Sequence, residues 1–147
     1  MSVYVALVKG VNVGGRSKVD MRELKARFEE LGCTDVSTYI NSGNVIFRDR
    51  RGAKMLTREL EEALGRRVAV RSLAQMEALC RRIPDEWGND KEQKSDVGFL
   101  LDEPGEKLWH ALRKDLAPRY TVDWAGADVT ARNVNTVRKL TALARSR

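Results

Sequence analysis

The chain has 147 residues, enough for one domain or two small ones with a real hydrophobic core. Its hydrophobic fraction of 42% and charged fraction of 33% fit a soluble globular protein, and no run of 18 apolar residues could cross a membrane as a helix. Lys and Arg outnumber Asp and Glu by 27 to 21, a net charge of +6 that favours anionic partners, either a small anion or a nucleic acid. Cys33 and Cys80 stand alone without a Cys-x-x-Cys spacing, so both are expected reduced, and the expected compartment is the cytoplasm.

Residues 3–8, Val-Tyr-Val-Ala-Leu-Val, are apolar on both parities, the pattern of a strand covered on both faces. The next ten, Lys-Gly-Val-Asn-Val-Gly-Gly-Arg-Ser-Lys, hold three glycines, one asparagine and three cations. Glycine lets backbone amides approach a ligand closely, and successive amides beside cations suit a phosphate-like group. Asp20 then caps a helix whose apolar face is Met21, Leu24, Phe28 and Leu31, with Gly32 as its stop. Two strands, 36–40 and 45–48, are joined by Asn41-Ser-Gly-Asn44 as a hairpin turn. Leu56, Leu60, Ala63 and Leu64 mark a second helix ending at Gly65, and residues 67–71 form a fourth strand.

The order β-α-β-β-α-β is that of a ferredoxin-like unit, so the expected fold class is α/β (α+β) with a ferredoxin-like half over 1–71. In that topology the third strand lies between the first two, which run parallel. The glycine-rich loop and the 41–44 turn should then leave the same edge of the sheet.

For 72–147 the pattern predicts a helix opened by Ser72 and Gln75 and stopped by Pro84, then a polar linker or mobile loop over 85–94. A strand at 97–101, a helix at 106–116, a short hairpin from 120–124 and 127–130, and a last helix from Val134 follow. This α-β-α-β-β-α order suggests a second, permuted and shortened ferredoxin-like half packed on the first as one unit.

Gly10 to Ser17 comes within one residue of the phosphate-loop pattern, with Arg16 in place of its lysine. The helix start at Asp20 and the expected fold both argue against nucleotide hydrolysis, leaving anion binding or a plain turn. Residues 41–44 read as a tight turn or as a polar wall for the same ligand. In Arg132-Asn-Val-Asn-Thr136, Asn133 caps the last helix, whose N-terminus beside Arg132 is also suited to an anion. The first strand resembles that of an RNA-recognition domain, but the third lacks the aromatic spacing that stacks bases. His110 falls mid-helix as a surface or packing residue, and Arg48, Arg50 and Arg51 as a solvated turn. One histidine and two distant cysteines make no usual zinc set, so no metal, cofactor or catalytic group is expected.

Taken together, the glycine-rich loop, Met21-Arg-Glu-Leu, Thr38-Tyr-Ile-Asn-Ser-Gly-Asn-Val-Ile-Phe47 and Arg132-Asn-Val-Asn-Thr-Val-Arg-Lys-Leu140 resemble the bacterial family called domain of unknown function 1697. The resemblance implies ferredoxin-like halves and no established activity. Its motifs fall on Gly10, Asn12, Gly14, Gly15 and Lys18, on Asn41, Ser42, Gly43 and Asn44, and on Arg132, Asn133, Asn135 and Thr136. Members of that family are usually longer before the last motif, where this chain has only residues 125–129 and then Ala131 before Arg132. The expected ligand site comprises Gly10, Asn12, Gly14, Gly15, Lys18, Asn41, Ser42, Asn44, Arg132, Asn133, Asn135 and Thr136. A small anionic or phosphorylated ligand is the leading expectation; a nucleic-acid module and a structural domain without ligand are the alternatives.

Overall fold

A computed structural model describes residues 1–12 and 18–147. Its elements are β1 (Ser2–Val8), α1 (Met21–Glu30), β2 (Thr34–Tyr39), β3 (Asn44–Asp49), α2 (Ala53–Leu64), β4 (Val68–Ser72), α3 (Leu73–Arg82), β5 (Gln93–Leu100), β6 (Glu106–Leu112), β7 (Val129–Asn133) and α4 (Val134–Arg145). They make a mixed α+β fold with two antiparallel sheets, one ordered β2-β3-β1-β4 and the other β6-β5-β7.

In β1 the double-sided apolar pattern is used on both faces. Tyr4, Ala6 and Val8 join one core with Leu24 and Phe28 of α1 and Leu56 and Leu60 of α2. Val5 and Leu7 face a second core built from Met76 and Leu79 of α3, Val97 and Phe99 of β5, and Val137 and Leu140 of α4. Residues from both ends of the chain therefore share one buried cluster. Each of these side chains is nearly or wholly removed from water, at roughly 1.5–3 kcal/mol apiece for the large ones.

The helix ends follow the sequence signals. Asp20 accepts from the Arg22 N–H (2.8 Å), and Ser72 and Gln75 form a reciprocal capping box. Gly65 closes α2 at φ +63°, and Asn133 accepts from the Thr136 N–H (2.9 Å) to open α4.

As expected, β3 lies between β1 and β2 and runs antiparallel to both. The loop after β1 and the turn after β2 thus meet: the Val8 N–H donates to the Gly43 carbonyl (2.9 Å). Gly43 has φ +81°, and a Cβ there would sit 3.0 Å from the Val8 carbonyl oxygen, so this crossing requires glycine.

The second half departs from expectation. Residues 106–112 are strand β6 rather than a helix, followed by a single 3-10 turn at Arg113–Asp115. Pairing along β5, from Gln93↔Leu112 to Phe99↔Glu106, overrides the local helix propensity of Glu, Lys, Leu and Ala. The hairpin expected from 120–130 is absent among the described residues; only Val129–Asn133 is extended, paired with β5 on its other side. Instead of a second strand, 120–124 supplies side chains that cover the outer face of this sheet. Trp124 lies over Gly98, and Tyr120 packs on Trp109 with its hydroxyl donating to Asp96 (3.2 Å).

Three further expectations change. His110 is in a strand, stacked on Trp87 at 4.7 Å, with Nδ1 2.6 Å from the buried Ser95 hydroxyl. Arg51 is not a solvated turn residue: it forks onto Asp49 and donates to the Leu31 carbonyl. The 85–94 segment is tied down rather than free, since Arg138 donates to the Trp87 and Pro84 carbonyls and Asn135 to that of Asn89.

Candidate functional site

Where the two sheets approach each other, the end of β1, residues 9–12, Ser42 and residues 129–132 line a cleft of about 490 Å³. Its organising side chain is Arg132, delivered by β7. A guanidinium has five N–H bonds, and here all five have acceptors. Nε donates to Asn44 Oδ1 (2.6 Å), Nη1 to the Thr130 hydroxyl and the Ala131 carbonyl (both 2.8 Å), and Nη2 to the carbonyls of Val8 (3.0 Å) and Ser42 (2.8 Å).

Every one of those acceptors is neutral. Among the described residues no carboxylate lies within salt-bridge distance of Arg132, and residues 13–17, Val-Gly-Gly-Arg-Ser, contain no acid. Burial without a counter-charge brings the guanidinium down to about 10 from its ordinary range. The site thus carries a fixed positive charge that the fold hydrogen-bonds but does not neutralise.

Asn44, fully buried, holds Arg132 from the other side. Its amide donates to the Tyr39 carbonyl (3.1 Å) and the Ser42 hydroxyl (2.8 Å), which leaves Oδ1 facing the guanidinium. Asn12, at φ +54°, accepts from the Val19 N–H (2.9 Å) and donates to the carbonyls of Val19 and Asn41. It ties the loop both to the start of α1 and to the turn. Gly10 is also left-handed at φ +77°, and its carbonyl accepts from Arg66 (2.9 Å). Among the described residues, the backbone N–H groups of Gly10, Val11 and Asn12 have no backbone acceptor.

The expected site residues therefore divide. Gly10, Asn12, Ser42, Asn44 and Arg132 meet around the cleft, and Asn41 joins through its carbonyl. Gly14 and Gly15 lie outside the described residues. Lys18 is exposed and lines a separate depression of about 220 Å³ with Arg27, Arg66 and Glu23, so it does not sit opposite Arg132. Asn133, Asn135 and Thr136 serve α4: Asn133 caps it, Asn135 reaches Asn89, and Thr136 is buried in its first turn.

The family described as protein of unknown function (DUF1697) matches residues 1–129. The chain belongs to this family. The structure of the conserved bacterial protein SP0830 from Streptococcus pneumoniae has the same fold, with a TM-score of 0.75 and 24% identity over 97% of this chain and 98% of that one. None of the curated proteins matches. In this DUF1697 chain the cleft joins residues inside the matched span, Val8 to Asn44, to Arg132 just beyond it.

One cleft residue, Lys9, and its partner just outside the lining, Asp128, escape a sequence reading. Lys9 was visible only as one of three cations, and Asp128 only as part of the strand expected at 127–130. In the folded DUF1697 chain they form an ion pair, and Asp128 also accepts from Arg67 Nη1 (2.7 Å). The hydrogen bond from Lys9 and the nearby Arg67 hold the Asp128 carboxyl below its usual range. No local pattern announces this pair, because 119 residues separate its members.

Proposed function

We propose that the protein binds a small anionic ligand, a phosphate or carboxylate compound, in the cleft between residues 9–12, Ser42 and β7. The observation that carries this reading is the half-buried, uncompensated charge of Arg132. With all five donors engaged, Arg132 acts as a fixed source of field and not as a ligand clamp. At an effective dielectric constant near 20, an anion about 5 Å away gains on the order of 3 kcal/mol. Direct contacts fall to the backbone amides of Gly10 to Asn12 and to Lys9, in keeping with the anion-binding habit of left-handed glycine turns. The cleft is within the usual size of small-molecule sites.

The antiparallel order β2-β3-β1-β4 supports a ferredoxin-like first half over 1–71, and three strands with two helices support a shortened counterpart over 72–147. A nucleic-acid role is less favoured, because both faces of the first sheet are packed under helices and offer no base-stacking platform. Two unpaired cysteines are compatible with a reducing compartment, and we assign the protein to the cytoplasm on that basis.

Ala131 is exposed and lines the cleft. Placing a carboxylate there opposes an anion without removing a native hydrogen-bonding side chain. Wild type, Ala131→Glu and Ala131→Gln are melted with inorganic phosphate, pyrophosphate and a short RNA. Saturation at 100 times the dissociation constant stabilises by about 2.7 kcal/mol, roughly 5–10 °C for a chain this size. A shift from one phosphate compound that survives in Ala131→Gln and vanishes in Ala131→Glu supports the reading. No shift with any anion, or one unchanged by the glutamate, overturns it.

A further inference from the structure

Among the described residues the cleft contains one cation on a flexible stem, Lys9, and its ammonium is already occupied by the Asp128 carboxylate. Three features make this pair unlike the other ion pairs near it. First, Asp128 does not depend on Lys9: its other oxygen is held by Arg67 Nη1 at 2.7 Å, so the carboxylate keeps a cation if Lys9 leaves. Second, Arg67 is anchored on three further sides, by Glu61 (2.9 Å), the Leu101 carbonyl (3.0 Å) and Asp102 (3.0 Å), and cannot follow. Third, the Lys9 side chain is 44% exposed on a flexible stem, whereas its backbone is pinned by the bond from its N–H to the Arg67 carbonyl (2.9 Å). A swing of Lys9 therefore costs one exposed ion pair, which is worth little in water, and strands no buried charge.

We infer that Asp128 is an internal competitor for the ligand's anionic group: in the free protein its carboxylate occupies Lys9, and a bound phosphate or carboxylate takes the Lys9 ammonium in its place while Arg67 retains Asp128. This rests on the anion-binding reading of the cleft and adds a regulating residue to it. Asp128 lowers affinity without touching the ligand, and Lys9 carries the difference.

The full-length protein is titrated calorimetrically with inorganic phosphate and with pyrophosphate, as wild type, Asp128→Asn, Lys9→Met and the double variant. Asp128→Asn is expected to tighten binding about two- to fivefold, and the gain should disappear when Lys9 is also replaced by methionine. Equal affinity in wild type and Asp128→Asn overturns the competition while leaving the anion site intact. A gain that persists without Lys9 overturns it too, since the effect would then be a general loss of negative field. Binding in neither protein removes both the competition and the site beneath it. Should Asp128→Asn fail to fold, NMR of the Lys9 side-chain ammonium in the wild type decides: a resonance that moves on phosphate addition supports the exchange of partners, and one that stays fixed while phosphate binds refutes it.

Discussion

Replacing Arg132 by methionine tests whether its guanidinium acts as a structural fork. The substitution keeps an unbranched side chain of similar reach and removes five hydrogen bonds. Three of them, to Asn44, Val8 and Ser42, join β7 to the first sheet. Bonds from a charged donor contribute roughly 1.5–3 kcal/mol each, and the variant also strands the buried Asn44 Oδ1. Against this, the fall of Arg132 to about 10, well below the ordinary guanidinium range, means that its charged form is penalised by burial by roughly 3 kcal/mol, which the variant recovers. Counting only the three bonds to the first sheet, since the remaining acceptors on Thr130 and Ala131 are local to β7, the balance is a net loss of about 3 kcal/mol. Urea unfolding should show the midpoint falling by about 1.5 M at an unchanged slope near 2 kcal/mol per M. Arg132→Lys keeps the charge but cannot span the same acceptors, and it should lose about 2 kcal/mol. A double-mutant cycle with Asn44→Ala should return a coupling of about 1 kcal/mol or more. A methionine variant within about 0.5 M of wild type, or a lysine variant equal to it, would refute the fork.

Two further predictions concern the scaffold. A Cβ on Gly98 would lie 2.9 Å from the Trp124 ring, so Gly98→Ala should expel that ring and cost about 1–3 kcal/mol, read by near-ultraviolet circular dichroism; in a Trp124→Ala background the same change should be nearly neutral. Asp49 is held down to about 2 by hydrogen bonds from Arg51, and a depressed carboxyl contributes stability above its ordinary value near 4 that is lost as pH falls toward 2. Asp49→Asn should therefore destabilise by about 2 kcal/mol at pH 7, and the gap from wild type should close between pH 4 and 2 in acid denaturation; a gap constant with pH would sink the assignment.

Much of the first half was legible because each local signal agreed with the tertiary outcome. The two-sided apolar run 3–8, the caps at Asp20 and Gly65 and the Asn-Ser-Gly-Asn turn all say locally what the sheet requires globally. The meeting of the 9–12 loop with the 41–44 turn followed from strand order alone. The second half was less legible where local and global preferences conflict. Residues 106–112 hold Glu, Lys, two Leu and Ala, good helix formers, yet a strand forms there because β5 offers a paired edge and Trp87 a surface for His110. The aromatic residues at 120 and 124 looked like strand residues; they are plugs, and their role is set by the bare backbone of Gly98 beneath Trp124. For the site, Arg132 was visible as a cation at a helix start, but the identity of its partners was not. Its acceptors are carbonyls and an amide, which leave no charge pattern in a sequence.

The sequence distances spanned by Arg132 bear on how the cleft comes into being during synthesis. Its contacts with Asn44, Ser42 and Val8 close loops of 88, 90 and 124 residues. Contacts of such separation form late, because the entropy of closing them is lost before they stabilise anything. Until β7 has emerged and docked, the chain displays the 9–12 loop and the 41–44 turn without the cation that completes the proposed site. If the cleft binds an anion as proposed, its affinity switches on only after the seventh strand has left the ribosome and docked, so ligand binding waits on the slow, long-range step of folding.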